Sequence, residues 1–296
     1  MNYKIEKLAG NSFYIPGRVN IGLYLDADRV TLFDSGSDDS SGRALYRLLQ
    51  EQDLSLERVI NTHSNADHVG GNFYLQKKTG CQVWATEIEA CITSHPIMEP
   101  LLLWSAFPFR ELNNKFLRAS PSRVDRVIPV SGSVDDFPFE FYPLPGHFIN
   151  MVGIFTHDEV FYIADALFSE EIIDKYKVMV TLDVSAEYET LSFLENFEAE
   201  YFVPCHASPT KSIKKLVEIN RKALQETGET ILNICSEPVS RERILEGLCI
   251  KYNIPLNATQ YVLSLATVSA HLTYLADMGH ARFHFEEGKM LWERAV

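Results

Sequence analysis

The segment INTHSNADHVGGN, residues 60–72, concentrates side chains that bind metal ions. His63, Asn65 and Asp67 alternate, so they project to one side if the chain is extended where it leaves a strand. His68 follows directly, and the glycine pair after it permits a sharp turn into a helix. Because Zn²⁺ and Fe²⁺ favour imidazole and carboxylate ligands, the segment predicts a metal site. The alternative is a solvated polar loop that carries two chance histidines.

Three later segments each place one more such side chain at the end of a strand-like run. PLPGH ends on His147 after a Pro-Gly turn, and YFVPCH ends on His206. VFYIADALF carries Asp165 after largely apolar residues, where an unpartnered carboxylate would be costly to bury. Each of these residues alone fits a structural role. Their recurrence at strand ends favours one shared metal centre.

These segments, taken in order, resemble the motifs of the metallo-β-lactamase superfamily. THSNADH is similar to its H-x-H-x-D-H signature, and LPGH, IADALF and VPCH resemble its three later ligand motifs. LFDSG around Asp34 is similar to the structural aspartate strand that precedes the signature. The resemblance spans residues 1 to about 210. It implies an α/β (α+β) fold, a four-layer αββα sandwich with metals at one edge between the sheets.

The resemblance implies that His63, Asn65 and His147 hold one metal ion, with Asp165 as a bridge to a second ion. Position 65 departs from the signature, which has histidine there. An amide oxygen is a weaker ligand for Zn²⁺ than imidazole, so we expect this first site to bind its ion less tightly. A mononuclear enzyme, a dinuclear enzyme with one labile ion and a changed reaction all stay open.

The second site that the resemblance implies has a full ligand set in Asp67, His68 and His206. Two ions roughly 3.5–4 Å apart would lower the pKa of a shared water to about 7, so that it becomes a hydroxide, and would polarise the scissile group. Asp67 would also orient that hydroxide and is the expected catalytic residue. Zinc is the expected cofactor, as one or two ions per chain, with iron or manganese as alternatives.

Asp165 also bears on the reaction, because the best-known antibiotic-hydrolysing members have cysteine at the bridging position. By resemblance, aspartate favours the thioesterase, lactonase and phosphodiesterase branches. The leading interpretation is therefore hydrolysis of an ester-like bond by a metal-bound hydroxide. The alternative is a mononuclear iron dioxygenase that acts on a thiol or persulfide through His63, His147 and Asp165. That alternative leaves the second ligand set without a role.

Short strands and helices are predicted to position these residues. SFYIP, NIGLYLDA, RVTLFDSG and ERVINT are predicted strands, the last ending just before His63. Leucines at helical spacing predict a helix from Ser41 to about Gln52. Residues 96–123 interrupt this order with an apolar, proline-containing stretch. A lid over the site, a helical excursion packed on the core and a dimer contact stay open for it.

The C-terminal part is predicted to form a separate module. We divide the chain into a catalytic domain at 1–210, a linking helix at 211–229 and a winged-helix-like module at 230–296, with the junction at ETGET. Two helices and a hairpin turning at Glu287-Gly288 support this order. The expected recognition helix, TVSAHLTYLADMG, has no Lys or Arg, so a regulator that binds nucleic acid is the least favoured hypothesis. A pocket or dimerisation role is expected instead.

Composition limits the partners. The net charge of −13 argues against a polyanion, so we expect a small-molecule substrate and no nucleic acid. Five cysteines without a CxxC pair are typical of reduced cytosolic thiols. The N-terminus has no apolar run typical of a signal peptide, and no stretch of about 18 apolar residues predicts a membrane span. We expect a cytoplasmic protein without membrane contact, and a homodimer stays open.

Overall fold

Two β-sheets stack face to face in the computed structural model, which describes residues 3–134 and 137–295. In spatial order the first sheet contains β1 (Glu6–Ala9), β2 (Ser12–Ile15), β3 (Ile21–Asp26), β4 (Arg29–Phe33), β5 (Ser55–Ile60), β6 (Gln82–Ala85) and β7 (Arg126–Val127). The strands β1 to β4 pair antiparallel, whereas β4 to β7 run parallel. The change follows from the connections, because parallel neighbours need a crossover and helices supply it after β4, β5 and β6.

The second sheet carries the later ligand motifs. It contains β8 (Gly132–Ser133), β9 (Phe139–Pro143), β10 (Val152–Thr156), β11 (Val160–Phe168) and β12 (Tyr201–His206), in the spatial order β12-β11-β10-β9-β8. Its strands pair antiparallel except β11 and β12, which are parallel. Because parallel strands end at the same edge, β11 and β12 bring their C-terminal residues together.

Helices flank the sheets and build the C-terminal part. They are α1 (Asp39–Glu51), α2 (Ala66–Val69), α3 (Asn72–Thr79), α4 (Glu87–Ser94), α5 (Met98–Trp104), a 3₁₀ turn at Arg110–Leu112, α6 (Glu170–Tyr176), α7 (Val184–Asn196), α8 (Lys214–Ile234), α9 (Arg241–Tyr252) and α10 (Ala258–Asp277). The chain ends in a hairpin of β13 (Ala281–Glu286) and β14 (Lys289–Arg294).

Three buried clusters hold the layers together. Between the sheets, Phe33 of β4 meets Phe139 of β9 edge to face, with ring centroids 5.3 Å apart. Leu45 of α1 belongs to the cluster under the outer face of the first sheet, and Leu191 of α7 joins Phe161 of β11 under the second. Helix, sheet, sheet and helix therefore stack in that order. The predicted four-layer αββα sandwich is confirmed.

The metal-binding segment is not extended throughout, as the alternation of its residues had suggested. The residues Ala66–Val69 form the helical turn α2, because the backbone amides of His68 and Val69 donate to the carbonyl of Asn65 at 2.9 and 3.2 Å. The turn sets Asp67 beside His68 on the same element. The expectation that His63, Asn65 and Asp67 project from one extended run was wrong.

The helix before the C-terminal elements is longer than the sequence indicated. It runs unbroken over Lys214–Ile234, so the predicted boundary between residues 229 and 230 falls inside α8. The Thr227 hydroxyl donates to the carbonyl of Ala223 at 2.9 Å, which satisfies it within the helix. A Cβ at Gly228 would lie 3.3 Å from Nδ1 of His271, so this glycine permits close packing of α8 on α10. The ETGET segment is a helix interior and a packing site.

The order helix, helix, hairpin is present in the C-terminal part. The hairpin turns at Glu287 and Gly288, whose φ angles of +47° and +75° suit a tight turn with both central residues left-handed. The winged-helix assignment and the division into domains stay predictions. No helix in the described ranges is long and apolar enough to cross a lipid bilayer.

Candidate metal centre

Asp34, directly after β4, lies below the site and holds Thr62 and His68 in place by hydrogen bonds. It is fully buried and has a φ of +67°, a conformation that residues other than glycine adopt rarely. Its carboxylate accepts hydrogen bonds from the amide of Thr62 at 2.9 Å, from the Thr62 hydroxyl at 2.8 Å and from Nδ1 of His68 at 2.8 Å. Asp34 therefore fixes both the end of the β5 loop and the ring of His68.

The same network sets the tautomer of His63. Because the Thr62 hydroxyl donates its hydrogen to Asp34, its oxygen is left to accept from Nδ1 of His63, 3.0 Å away. The neutral ring then carries a lone pair on Nε2, which faces the interior of the site. Hydrogen bonds of this kind behind a histidine orient the ring and raise its basicity toward a metal.

A turn at Gly146 places His147 close to His63 and Asp165. Gly146 has a φ of +128°, and a Cβ there would lie 2.6 Å from Cα of Glu187, so only glycine fits. The ring of His147 donates from Nδ1 to the carbonyl of Val180 at 2.8 Å. Its Nε2 is therefore also the lone-pair atom, and it points toward Asn65 and Asp165.

A bulge in β11 orients the side chain of Asp165 toward the histidines of the site. The register between β11 and β12 shifts on either side of Ala164, whose φ is +50°. Such bulges redirect one side chain of a strand. The Asp165 carboxylate lies 3.3 Å from Nε2 of His68, 3.2 Å from Nε2 of His206 and 3.7 Å from Nε2 of His147. Asp165 thus touches histidines of both predicted sites.

All seven residues predicted as ligands lie at this one edge, in two groups. The ligand atoms of His63, His147 and Asp165 fall within 4.8 Å of one another, and so do those of Asp67, His68 and His206. Asn65 lies beside the first group, with its Oδ1 3.1 Å from Nε2 of His147. Their role as ligands stays a prediction.

The pKa values of the ionisable groups in this site shift in both directions. Burial lowers the pKa of His147 and holds the pKa of His63 well below its ordinary value. Burial also opposes protonation of His68, but the carboxylates around it, Asp165 first, raise its pKa well above the usual range. The His206 and His68 charges hold the pKa of Asp165 well below its usual range, against the effect of burial.

Buried atoms without partners give a direct test of fit. In the described part of the chain, Nε2 of His63 is buried and makes no hydrogen bond, and the buried Nε2 of His68 and Oδ1 of Asp165 meet only each other, at 3.3 Å. Native structures rarely leave such atoms unsatisfied unless an ion or water meets them. Imidazole nitrogens and carboxylate oxygens are the donors that Zn²⁺, Fe²⁺ and Mn²⁺ accept. The residues present therefore fit divalent cations.

A cavity of about 700 Å³ opens above the two groups. Asn65, Asp67, His147, Asp165 and His206 form its floor. Its walls come from three elements: the segment 99–116, residues 172–180 and the start of α10 at residues 257–263. This volume and mixed polarity are typical of a small-molecule site.

The segment 96–123 forms part of this wall. Its residues Leu112 and Leu117 are buried with Val262 of α10. The Asn114 amide donates to the hydroxyl of Thr259 at 2.8 Å. The segment is therefore a helical excursion packed on α10, and because it also lines the cavity, the lid and the dimer contact stay open as well.

Two buried glutamates near the ligands were missed by the sequence analysis. Glu89 accepts from the amide and hydroxyl of Ser64, at 2.9 and 2.6 Å, and from the amide of Asn150 at 2.8 Å. Glu99 accepts from the side-chain amide of Asn65 at 2.8 Å. Burial raises the pKa of both carboxyls, that of Glu99 most strongly. A lone acid within apolar PIMEPLLL was a usable signal, since a buried carboxylate needs a partner.

Cys205, next to His206, is a buried thiol. The residue is 6% exposed, and its Sγ donates to Asp34 at 3.9 Å from beneath the site. Burial raises the pKa of its thiol to about 12. Cys205 is therefore a neutral packing residue, although it lies close to His68.

Comparisons with known proteins agree with this geometry. A family model described as the metallo-beta-lactamase superfamily matches residues 14–206. A hydroxyacylglutathione hydrolase of Haemophilus influenzae is 25% identical over 152 residues, which are 48% of this chain and 63% of the relative. The chain therefore spans less than two thirds of that relative's length.

Two solved structures share the fold over nearly the whole chain. One is a metallo-beta-lactamase family protein from Thermus thermophilus, with a TM-score of 0.73 and 18% identity, covering 99% of this chain and 98% of that one. The other is a beta-lactamase domain protein from Burkholderia ambifaria, with a TM-score of 0.73, 16% identity and coverage of 99% and 94%. The family model covers more than half of the chain and includes every motif from Asp34 to His206. The chain belongs to the metallo-beta-lactamase superfamily.

Proposed function

We propose that this protein is a metal-dependent hydrolase that cleaves an ester-like bond, in particular a thioester, of a small-molecule substrate. One observation carries the proposal. The Nδ1 atoms of His63, His68 and His147 are each held by a hydrogen bond from behind, so their Nε2 atoms converge around Asp165. Such a preformed donor set is expected of a metal site and of little else.

The residues divide into two proposed ligand sets that share Asp165. His63, His147 and the amide oxygen of Asn65 would hold one cation. Asp67, His68 and His206 would hold the other, and zinc is the leading candidate for both. When bound, such cations lower the pKa of a coordinated water to about 7 and polarise the carbonyl of the substrate.

Asp67 is the proposed catalytic residue. Its side chain is half-buried and lines the floor of the cavity, 3.7 Å from Nε2 of His206 and 3.9 Å from Nε2 of His68. A carboxylate so placed can accept a hydrogen bond from the attacking water and hold one of its lone pairs toward the substrate. The cavity above it would exclude bulk water while the acyl group is bound.

The thioester preference rests on two supports. Aspartate occupies the position where the best-known antibiotic-hydrolysing members have cysteine. The relative from Haemophilus influenzae is named for hydrolysis of hydroxyacylglutathione, which is an acyl thioester. The C-terminal elements would serve this site as a cavity wall. The cytoplasmic location and the homodimer stay predictions.

A substrate panel tests the proposal. The protein is stripped with a chelator, then replenished with Zn²⁺ or Mn²⁺ and assayed on a thioester, a lactone, a phosphodiester and a β-lactam. We expect the replenished protein to hydrolyse the thioester fastest and the stripped protein to be inactive. Equal rates before and after stripping, or cleavage of none of the four, would contradict the proposal.

A second candidate function, a mononuclear iron dioxygenase, is supported by a different observation. His63, His147 and Asp165 by themselves make a group of two histidines and one carboxylate, the donor set of mononuclear iron oxygenases. Against it, Asp67, His68 and His206 are assembled as closely as the first group. Oxygen uptake with a thiol or persulfide would favour this candidate over hydrolysis.

A further inference from the structure

We propose that Glu99 is a positioning residue. It holds the side-chain amide of Asn65 in the orientation in which Oδ1 faces His63, His147 and Asp165. The first cation would then be held by two imidazoles, a carboxylate and an amide oxygen. This inference rests on the proposed metal centre. It adds a residue from outside the motif segments, on α5 in the wall of the cavity.

The contact between Glu99 and Asn65 has little freedom. Glu99 is 3% exposed, and its Oε1 accepts from Nδ2 of Asn65 at 2.8 Å. Since Nδ2 is the donor end of the amide, its Oδ1 must face the other way. There it lies 3.1 Å from Nε2 of His147.

The contact between Oδ1 of Asn65 and Nε2 of His147 is the part of the first site that a cation would stabilise. His147 donates from Nδ1 to the Val180 carbonyl, so in its neutral form Nε2 carries a lone pair. Two acceptors, Oδ1 and Nε2, then face each other at 3.1 Å, an arrangement that is unfavourable unless positive charge is shared between them.

The opposite amide orientation shows what Glu99 prevents. If the amide were turned over, Nδ2 could donate to Nε2 of His147, and the lone pair needed for a cation would be occupied. The hydrogen bond at 2.8 Å from Nδ2 to Oε1 of Glu99 would then be lost. Glu99 therefore disfavours the orientation that closes the first site.

The resulting donor set differs from one with three histidines. Replacing an imidazole by an amide oxygen gives two nitrogen and two oxygen donors, which shifts preference toward harder cations such as Mn²⁺. The first site should therefore discriminate less between Zn²⁺ and Mn²⁺ than the second. Its affinity for either cation should depend on Glu99.

The test is a cation titration of the stripped full-length protein with Zn²⁺ and, separately, Mn²⁺, followed by calorimetry. Three variants are compared with the wild type: Glu99→Leu, the double variant Asn65→Asp with Glu99→Gln, and Glu111→Gln as the matched control. Glu111 is another acid of the same cavity wall. In the double variant the introduced glutamine donates to the introduced carboxylate, so the hydrogen bond is kept with its direction reversed.

We expect Glu99→Leu to weaken only the looser binding event, by ~10–100-fold, the usual effect of losing a group that orients a ligand. The double variant should recover that event to within about tenfold of the wild type, and Glu111→Gln should leave both events unchanged. Unchanged binding by Glu99→Leu overturns the inference, and so does a double variant as weak as Glu99→Leu. If Glu99→Leu does not fold, the double variant alone decides. A wild type that binds no cation would instead refute the proposed metal centre.

Discussion

The Asp165 carboxylate lies 3.2 Å from Nε2 of His206, although 40 residues separate the two along the chain. The contact arises because β11 and β12 are parallel neighbours whose ends lie at the same edge of the sheet. The same carboxylate reaches His68, on the helical turn α2 that follows β5 of the first sheet, at 3.3 Å. Asp165 therefore joins the two halves of the sandwich.

Removing Asp67 should disable the second site. Asp67→Ala deletes a proposed ligand and the proposed catalytic carboxylate, so we expect the tighter cation to bind more than ~100-fold less well and hydrolysis to be nearly lost. Metal analysis after dialysis and a thioester assay measure the two effects. Wild-type metal content together with wild-type turnover would show that the ligand assignment is wrong.

Asn65→His should strengthen the first site. The change restores the imidazole of the family signature, and the ring Nδ1–H can donate to Glu99 as the amide does now. We expect the chelator concentration that removes half of the looser Zn²⁺ to rise by about tenfold or more, with a smaller gain for Mn²⁺. If metal retention does not change, residue 65 does not bind the cation.

Glu187→Gln should change how stability depends on pH. Burial raises the pKa of Glu187 to about 7 from 4.5, and its Oε2 makes no hydrogen bond among the described residues. Between pH 4.5 and 7 the unfolded chain has lost this proton while the folded chain keeps it, so the wild type loses stability as pH rises through that window. The loss is at most about 3 kcal/mol.

The glutamine variant cannot ionise and should escape this loss. Urea unfolding at pH 5 and pH 8 measures the difference in the free energy of unfolding between the two proteins. We expect the free energy of unfolding of the variant, minus that of the wild type, to be larger at pH 8 than at pH 5. A difference that is the same at both pH values would show that Glu187 ionises normally in the folded state.

The C-terminal part should not bind DNA. Helix α10 presents no Lys or Arg along Ala258–Asp277, and its first residues face the cavity. We expect the intact protein to show no measurable binding to random duplex DNA at physiological salt, because few counterions would be released. Submicromolar affinity with a steep salt dependence would support the regulator hypothesis instead.

The residues that meet at the candidate metal centre could be picked out from sequence because each motif is local. A histidine or aspartate at the end of a strand can be recognised from the residues next to it in the sequence. The order of the motifs then indicates the family and the fold. The turn at Glu287-Gly288 was predictable for the same reason, since two adjacent residues determine it. These features need no knowledge of which distant elements meet.

The residues that orient the ligands could not be predicted in this way. Val180 and Glu99 act on His147 and Asn65 across 33 and 34 residues of chain. Their spacing carries no periodic signal, so only the fold brings them together. The length of α8 was missed because Gly228 suggests a break in the sequence, whereas in the structure it makes room for His271. Local propensity was overridden there by packing.

Metal stoichiometry tests the central claim most directly. The protein is purified without added metal, and its metals are counted by elemental analysis while oxygen consumption and thioester cleavage are followed in the same sample. The proposed centre of His63, Asn65, Asp67, His68, His147, Asp165 and His206 predicts zinc or manganese, up to two ions per chain, with hydrolysis and no oxygen uptake. One iron per chain, with oxygen consumed and no ester cleaved, would contradict it.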